Sequence, residues 1–176
     1  MGGSAWNALK VLDDAIEMER EGKAFFEKVS GTVKHPRTRD TFSSLAKQEE
    51  KHMAVLCKEL DRLKQGKDWV SLDEAKKSTV PHDRISVFQD KDFKRIKLRP
   101  DSSELEALEL GMEVEKRSID YYRRASLEAS DLRAKEVFNW LVGEEAGHLT
   151  ILSAEHDSRT RAGFYYGEPE FSLEVM

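Results

Sequence analysis

The chain has 176 residues, 39% hydrophobic and 36% charged, with a formal net charge of -5 and one cysteine. That length bounds a single domain, and the mildly acidic balance gives no electrostatic reason to expect nucleic acid or an anionic membrane as partner. A lone Cys57 excludes an internal disulfide, a CxxC redox pair and any zinc or iron site built from several thiolates.

The first residues carry neither the basic nor the apolar region of a secretory signal. Position 6 is Trp where a myristoylation pattern needs Ser or Thr. No apolar run approaches the ~18 residues that a bilayer-crossing helix needs, so the expected address is the cytoplasm.

In chain order, Leu9, Leu12, Ile16, Glu19, Phe26, Val29 and Val33 form one stripe of a long first helix. Pro36 closes it by disfavouring helix at His35. A second helix is predicted over about 37–66, with the stripe Phe42, Leu45, Glu49, His52 and Leu56. Residues 67–100 are polar and basic, with strand-like pieces at 85–88 and 96–98 and one helical turn at 72–77. A crossover of this length is expected to pack on the domain or to mediate subunit contacts. After Pro100, the run Asp101, Ser102, Ser103 reads as the N-cap of a third helix striped Leu105, Leu108, Met112, Glu115, Tyr122, Ala125 and Ala129. Ser130 and Asp131 start a fourth, striped Phe138, Leu141, Glu145, His148 and Leu152. The tail 159–176, aromatic and broken by Gly and Pro, does not read as a fifth long helix.

The two halves repeat. Shifting the chain by 96 residues aligns 15–61 with 111–157 without a gap, and eleven of the 47 pairs are identical, against about three by chance. Among them are Glu19/Glu115, Glu49/Glu145 and His52/His148. The fold class is therefore all-α: a four-helix bundle of two repeated hairpins, 7–66 and 101–158, joined by the 67–100 crossover in one domain.

The repeat places acids where a core needs apolar residues. Glu19, Glu49, Glu115 and Glu145 each occupy a core stripe, and His52 and His148 follow two of them by three residues, on the same helix face. Four buried carboxylates cost several kcal/mol each if unpaired, and no Lys or Arg lies at that level of the stripes. Two divalent cations balance four carboxylates, and neutral imidazoles complete the coordination. A Glu from each of two helices plus Glu-x-x-His from each of the other two is the donor set of di-iron and di-manganese carboxylate bundles. By contrast, Glu17, Glu21, Glu50, Glu113 and Glu144 read as solvated surface, and His35, His82 and His156 as turn, linker and surface. Tyr122 is either a hydroxyl donor to a ligating carboxylate or a plain core aromatic; its repeat mate Phe26 has no hydroxyl, so any such support is lopsided.

The segments around Glu17–Glu19 and Phe25–Phe26, residues 45–52, Glu113–Glu115 with Tyr121–Tyr122, and residues 141–148 resemble the four helices of the rubrerythrin branch of the ferritin-like superfamily, over about 7–158. The resemblance implies that Glu19, Glu49, His52, Glu115, Glu145 and His148 hold two iron ions, with Glu49 and Glu145 as bridges; manganese or zinc suits the same donors. It implies a non-haem di-iron oxidoreductase that reduces hydrogen peroxide or dioxygen with oxidation of an Fe(II)-Fe(II) centre. The alternatives are a ferroxidase or iron-handling protein, and a redox-inert structural metal bundle. Two departures stand out. Full-length rubrerythrins carry a rubredoxin-like iron domain that needs four cysteines, so the electron donor is expected to be external, such as a rubredoxin-like protein. They also place a further Glu where this chain has Ser118, leaving six ligands. A homodimer is expected.

Overall fold

The computed structural model describes residues 6–79 and 103–160, with the backbone at 164–165 and 168–169. Four long helices, α1 (Ala8–Thr32), α2 (Pro36–Lys64), α4 (Glu104–Glu128) and α5 (Leu132–Thr160), make a bundle, and α3 (Leu72–Ala75) is one turn of the crossover. In the tail, β1 (Phe164–Tyr165) and β2 (Glu168–Pro169) pair antiparallel, with Phe164 opposite Pro169. The crossover pieces at 85–88 and 96–98 lie outside the described residues.

Local chemistry starts each helix where the sequence places it. The Asn7 side chain accepts from the Lys10 amide, and the His35 ring accepts from the Thr38 amide with Pro36 in the first turn. Ser103 and Glu106 form a reciprocal capping box. Asp131 accepts from the amides of Arg133 and Ala134. Glu104, one residue into α4, reaches across the bundle end to accept from the Lys34 and His35 amides and to pair with Arg159.

Each hairpin packs closely within itself, and the hairpins meet along two thinner seams, α1 against α4 and α2 against α5. Both seams are antiparallel: Tyr121 donates to the Val11 carbonyl at 2.8 Å, and Thr38 to Glu155 at 2.6 Å. The chain must therefore travel the length of the bundle between α2 and α4, which explains the long crossover. Its first part packs as expected, with Trp69, Val70 and Ala75 buried. Trp69 packs edge-on against Phe138, and Arg133 donates to its carbonyl.

The apolar core falls into two clusters. One holds Leu12, Leu56, Leu60, Trp69, Tyr122, Phe138 and Leu141. The other holds Phe25, Phe26, Phe42, Leu45, Leu108 and Leu152. Gly111 admits Leu152 there, since a Cβ at that position would lie 3.2 Å from a Leu152 methyl. The first-helix stripe needs adjustment at its ends: Leu9, in the first turn, is exposed, and Ile16 and Val33 are half-buried. Ala15 and Phe25 supply the core contacts instead.

Two further acids are buried, Glu59 and Glu155, again 96 residues apart. Glu155 is paired, with the Arg37 guanidinium at 3.0 Å and the Thr38 hydroxyl at 2.6 Å. Among the described residues Glu59 accepts only from the Val70 amide, and its second oxygen has no partner. Burial pushes its carboxyl up to about 7, with Val70 and Arg62 pulling the other way. A carboxyl that holds its proton more tightly when folded stabilises the fold fully below its unfolded pKa and loses that contribution as pH rises through the folded one. The window runs from 4.5 to about 7. Glu59→Gln keeps an acceptor for the Val70 amide. It is expected to match the wild type below that window and exceed it by about 3 kcal/mol at pH 8 in urea melts. Parallel pH profiles for the two proteins would refute this.

Candidate metal centre

Between the two apolar clusters, at mid-length, all six acid and imidazole side chains singled out by the repeat converge. Glu19 comes from α1, Glu49 and His52 from α2, Glu115 from α4, and Glu145 and His148 from α5, and each is at most 3% exposed. His52 Nδ1 lies 3.1 Å from Glu145, 3.2 Å from Glu19 and 3.4 Å from Glu49. His148 Nδ1 lies 3.0 Å from Glu145, 3.1 Å from Glu49 and 3.3 Å from Glu115. The two imidazoles stack with centroids 5.3 Å apart.

Two sets of donor atoms, each within 4.8 Å of one another, can be drawn from these residues: Glu19, Glu49, His52 and Glu145, and Glu49, Glu115, Glu145 and His148. Glu49 and Glu145 belong to both, as two bridging carboxylates would. Among the described residues, buried oxygens of Glu49, Glu115 and Glu145, and both ring nitrogens of His148, make no well-aligned hydrogen bond. Such unsatisfied atoms are costly in a core, and an all-carboxylate and imidazole set pointing inward fits a pair of divalent cations.

Without cations, protons balance the cluster. Burial, reinforced by neighbouring carboxylates, raises Glu19 and Glu115 well above the usual carboxylate range. Burial pushes Glu49 and Glu145 the same way, but the contact of Glu49 with Glu19, and the contacts of both with the two imidazoles, pull them below it. Burial opposes the charged imidazoles too, yet the surrounding carboxylates raise His52 well above its ordinary value and His148 to about 12. In the metal-free cluster protons are thus drawn toward Glu19, Glu115 and the two imidazoles and away from Glu49 and Glu145.

Residues 10–156 match the rubrerythrin family profile. The chain belongs to the rubrerythrin family. No curated protein sequence matches it significantly. Among solved structures, it is similar to a hypothetical protein from Pyrococcus furiosus, at 20% identity and a TM-score of 0.62 over 86% of this chain and 89% of that one. It is also similar to a two-domain protein from Anabaena variabilis with DJ-1/ThiJ/PfpI-like and ferritin-like domains, at 13% identity and a TM-score of 0.63. That match spans 98% of this chain and 42% of the other. These likenesses establish the ferritin-like fold of this rubrerythrin-family chain. Among its described residues no helix is long and apolar enough to cross a membrane.

Tyr122 is fully buried and donates its hydroxyl to Glu19, across the seam on α1, and not to Glu115 on its own helix. Glu144, expected on a solvated face, is half-buried: one oxygen accepts from Trp140 Nε1 at 2.8 Å and the other lies 3.8 Å from His52 Nε2. Trp140 also meets the His52 ring edge-on, and Lys76 sits over the indole. A Glu immediately before the ligand-position Glu145, four residues after a Trp, was the available sequence signal. Ser118 is buried, while His35 caps α2 and His156 is half-buried 3.5 Å from Glu109. Position 82 lies outside the described residues.

Proposed function

We propose that this member of the rubrerythrin family is a di-iron oxidoreductase that reduces hydrogen peroxide or dioxygen. The observation that carries the reading is the pair of buried donor groups sharing Glu49 and Glu145. Glu19 and His52 would hold one ion, Glu115 and His148 the other, and Glu49 and Glu145 both. Such a pair of ferrous ions supplies two electrons together to one oxidant.

The chain's own residues set the conditions for that chemistry. Carboxylates can change between bridging and terminal binding as the charge they face changes. The apolar clusters above and below keep bulk water out of the centre. Tyr122 steadies Glu19 through its hydroxyl. Reducing equivalents would come from an external donor such as a rubredoxin-like protein.

The test is an anaerobic Fe(II) titration of the metal-free protein, then hydrogen peroxide with a supplied reductant, followed in the near ultraviolet. About two irons per chain, fast oxidation and repeated turnover support the peroxidase. Two irons with slow oxidation and release of Fe(III) favour iron handling instead, and two ions that never cycle favour a structural bundle. Failure to bind two ions overturns the di-iron reading.

A further inference from the structure

Granting two cations in the cluster, as proposed above, the repeat makes their positions equivalent in ligand type, but the surroundings do not match. Around Glu19 and His52, two groups fix the ligands. The Tyr122 hydroxyl donates to one Glu19 oxygen, leaving the other on His52 Nδ1 at 3.2 Å. The Glu144 carboxylate stands by His52 Nε2, held by the Trp140 indole, which favours a proton on Nε2 and an Nδ1 lone pair aimed at the centre.

The mirror positions lack both groups. The repeat mate of Tyr122 is Phe26, and the mate of Glu144 is Gln48. Correspondingly, neither ring nitrogen of His148 makes a well-aligned hydrogen bond among the described residues, although Nδ1 lies 3.3 Å from Glu115 Oε1, the mirror of the His52–Glu19 contact. Both halves thus keep an imidazole–carboxylate contact of nearly the same length, and what differs lies behind it. The extra negative charge of Glu144 then decides the difference, since it stands beside His52 alone.

We propose that the position between Glu19 and His52 fills first and more tightly, and that Tyr122 and Glu144 are the positioning residues responsible. Loading is then sequential, with the Glu115–His148 ion the one that comes and goes.

Co(II) titrated anaerobically into the metal-free full chain, by calorimetry with visible absorption, tests the order. Repulsion between neighbouring cations alone yields two steps, so the assignment rests on variants. Glu115→Gln is expected to keep the tight step and lose the weak one, and Glu19→Gln the reverse. Tyr122→Phe, which copies the residue at the mirror position, and Glu144→Gln, at a half-exposed site, are each expected to weaken the tight step about 10–100-fold. The weak step should be unmoved, whereas general damage to the fold would lower both. Glu115→Gln removing the tight step, or Tyr122→Phe and Glu144→Gln changing both steps equally or neither, overturns the proposal while leaving two cations bound. Binding that never reaches two Co(II) per wild-type chain overturns it together with the di-metal reading on which it rests.

Discussion

Loading two divalent cations into the metal-free protein at pH 7 is expected to release about four protons per chain. Glu19 and Glu115 are raised, which favours the protonated carboxyl, and His52 and His148 are raised, which favours the charged imidazole. Coordination needs the carboxylates ionised and the imidazoles neutral. The sign follows directly: acid favours the protonated cluster, so metal affinity falls as pH falls. With about two protons displaced per ion, the apparent affinity should drop about 100-fold per ion for each pH unit of acidification near neutrality. Calorimetric titration in two buffers of different ionisation enthalpy counts the protons. A release of about two would mean that Glu19 and Glu115 are already ionised and only the imidazoles give up protons, and a smaller one that the cluster is strongly negative before metal arrives.

Replacing both shared carboxylates, Glu49→Gln with Glu145→Gln, is expected to abolish binding at both positions. Each of the two donor groups contains both residues, so each would lose half of its four ligands. The loss should exceed the 10–100-fold that outer-shell changes cost, to at least about 1000-fold, and equilibrium dialysis against Mn(II) measures it. Glutamine fills the same space and is neutral. The two imidazoles then lose their counter-charges and shed their protons, so the variant's far-ultraviolet circular dichroism should stay helical. Two tightly bound ions in the double variant would remove Glu49 and Glu145 from the site.

The six convergent residues were legible because each breaks an apolar stripe and does so twice at one offset. A single Glu-x-x-His on a charged helix would have carried little. Periodicity tells which face a residue occupies but not what that face meets. Spacing therefore puts Tyr122 on a core stripe but does not show its partner, Glu19 on the other hairpin. Glu144 departs from the solvated face expected of it for a related reason. It stands beside the buried stripe, where a long carboxylate can either reach water or turn back toward His52, and the Trp140 indole turns it back. Glu59 and Glu155 lie at the same 96-residue offset and are both buried, yet one is paired and the other is not. The difference comes from the crossover and from the start of α2, which the repeat does not encode. Exposed Leu9 shows that a stripe loses meaning at a helix end, where it has no neighbour to cover it.

The ligand sets also divide unevenly between the two hairpins. Glu19, Glu49 and His52 belong to the first and reach one carboxylate, Glu145, of the second; Glu115, Glu145 and His148 belong to the second and reach Glu49 of the first. Each ion would therefore stitch three ligands of one half to a single ligand of the other, where the helices grip least. Cys57, the sole cysteine, is buried within α2, so no covalent clasp is available for that join. Cation supply would then govern cohesion as well as chemistry. In a starved protein that join is expected to be the weaker for it, held by the apolar clusters that draw on both hairpins and by the Tyr121 and Thr38 hydrogen bonds across the seams.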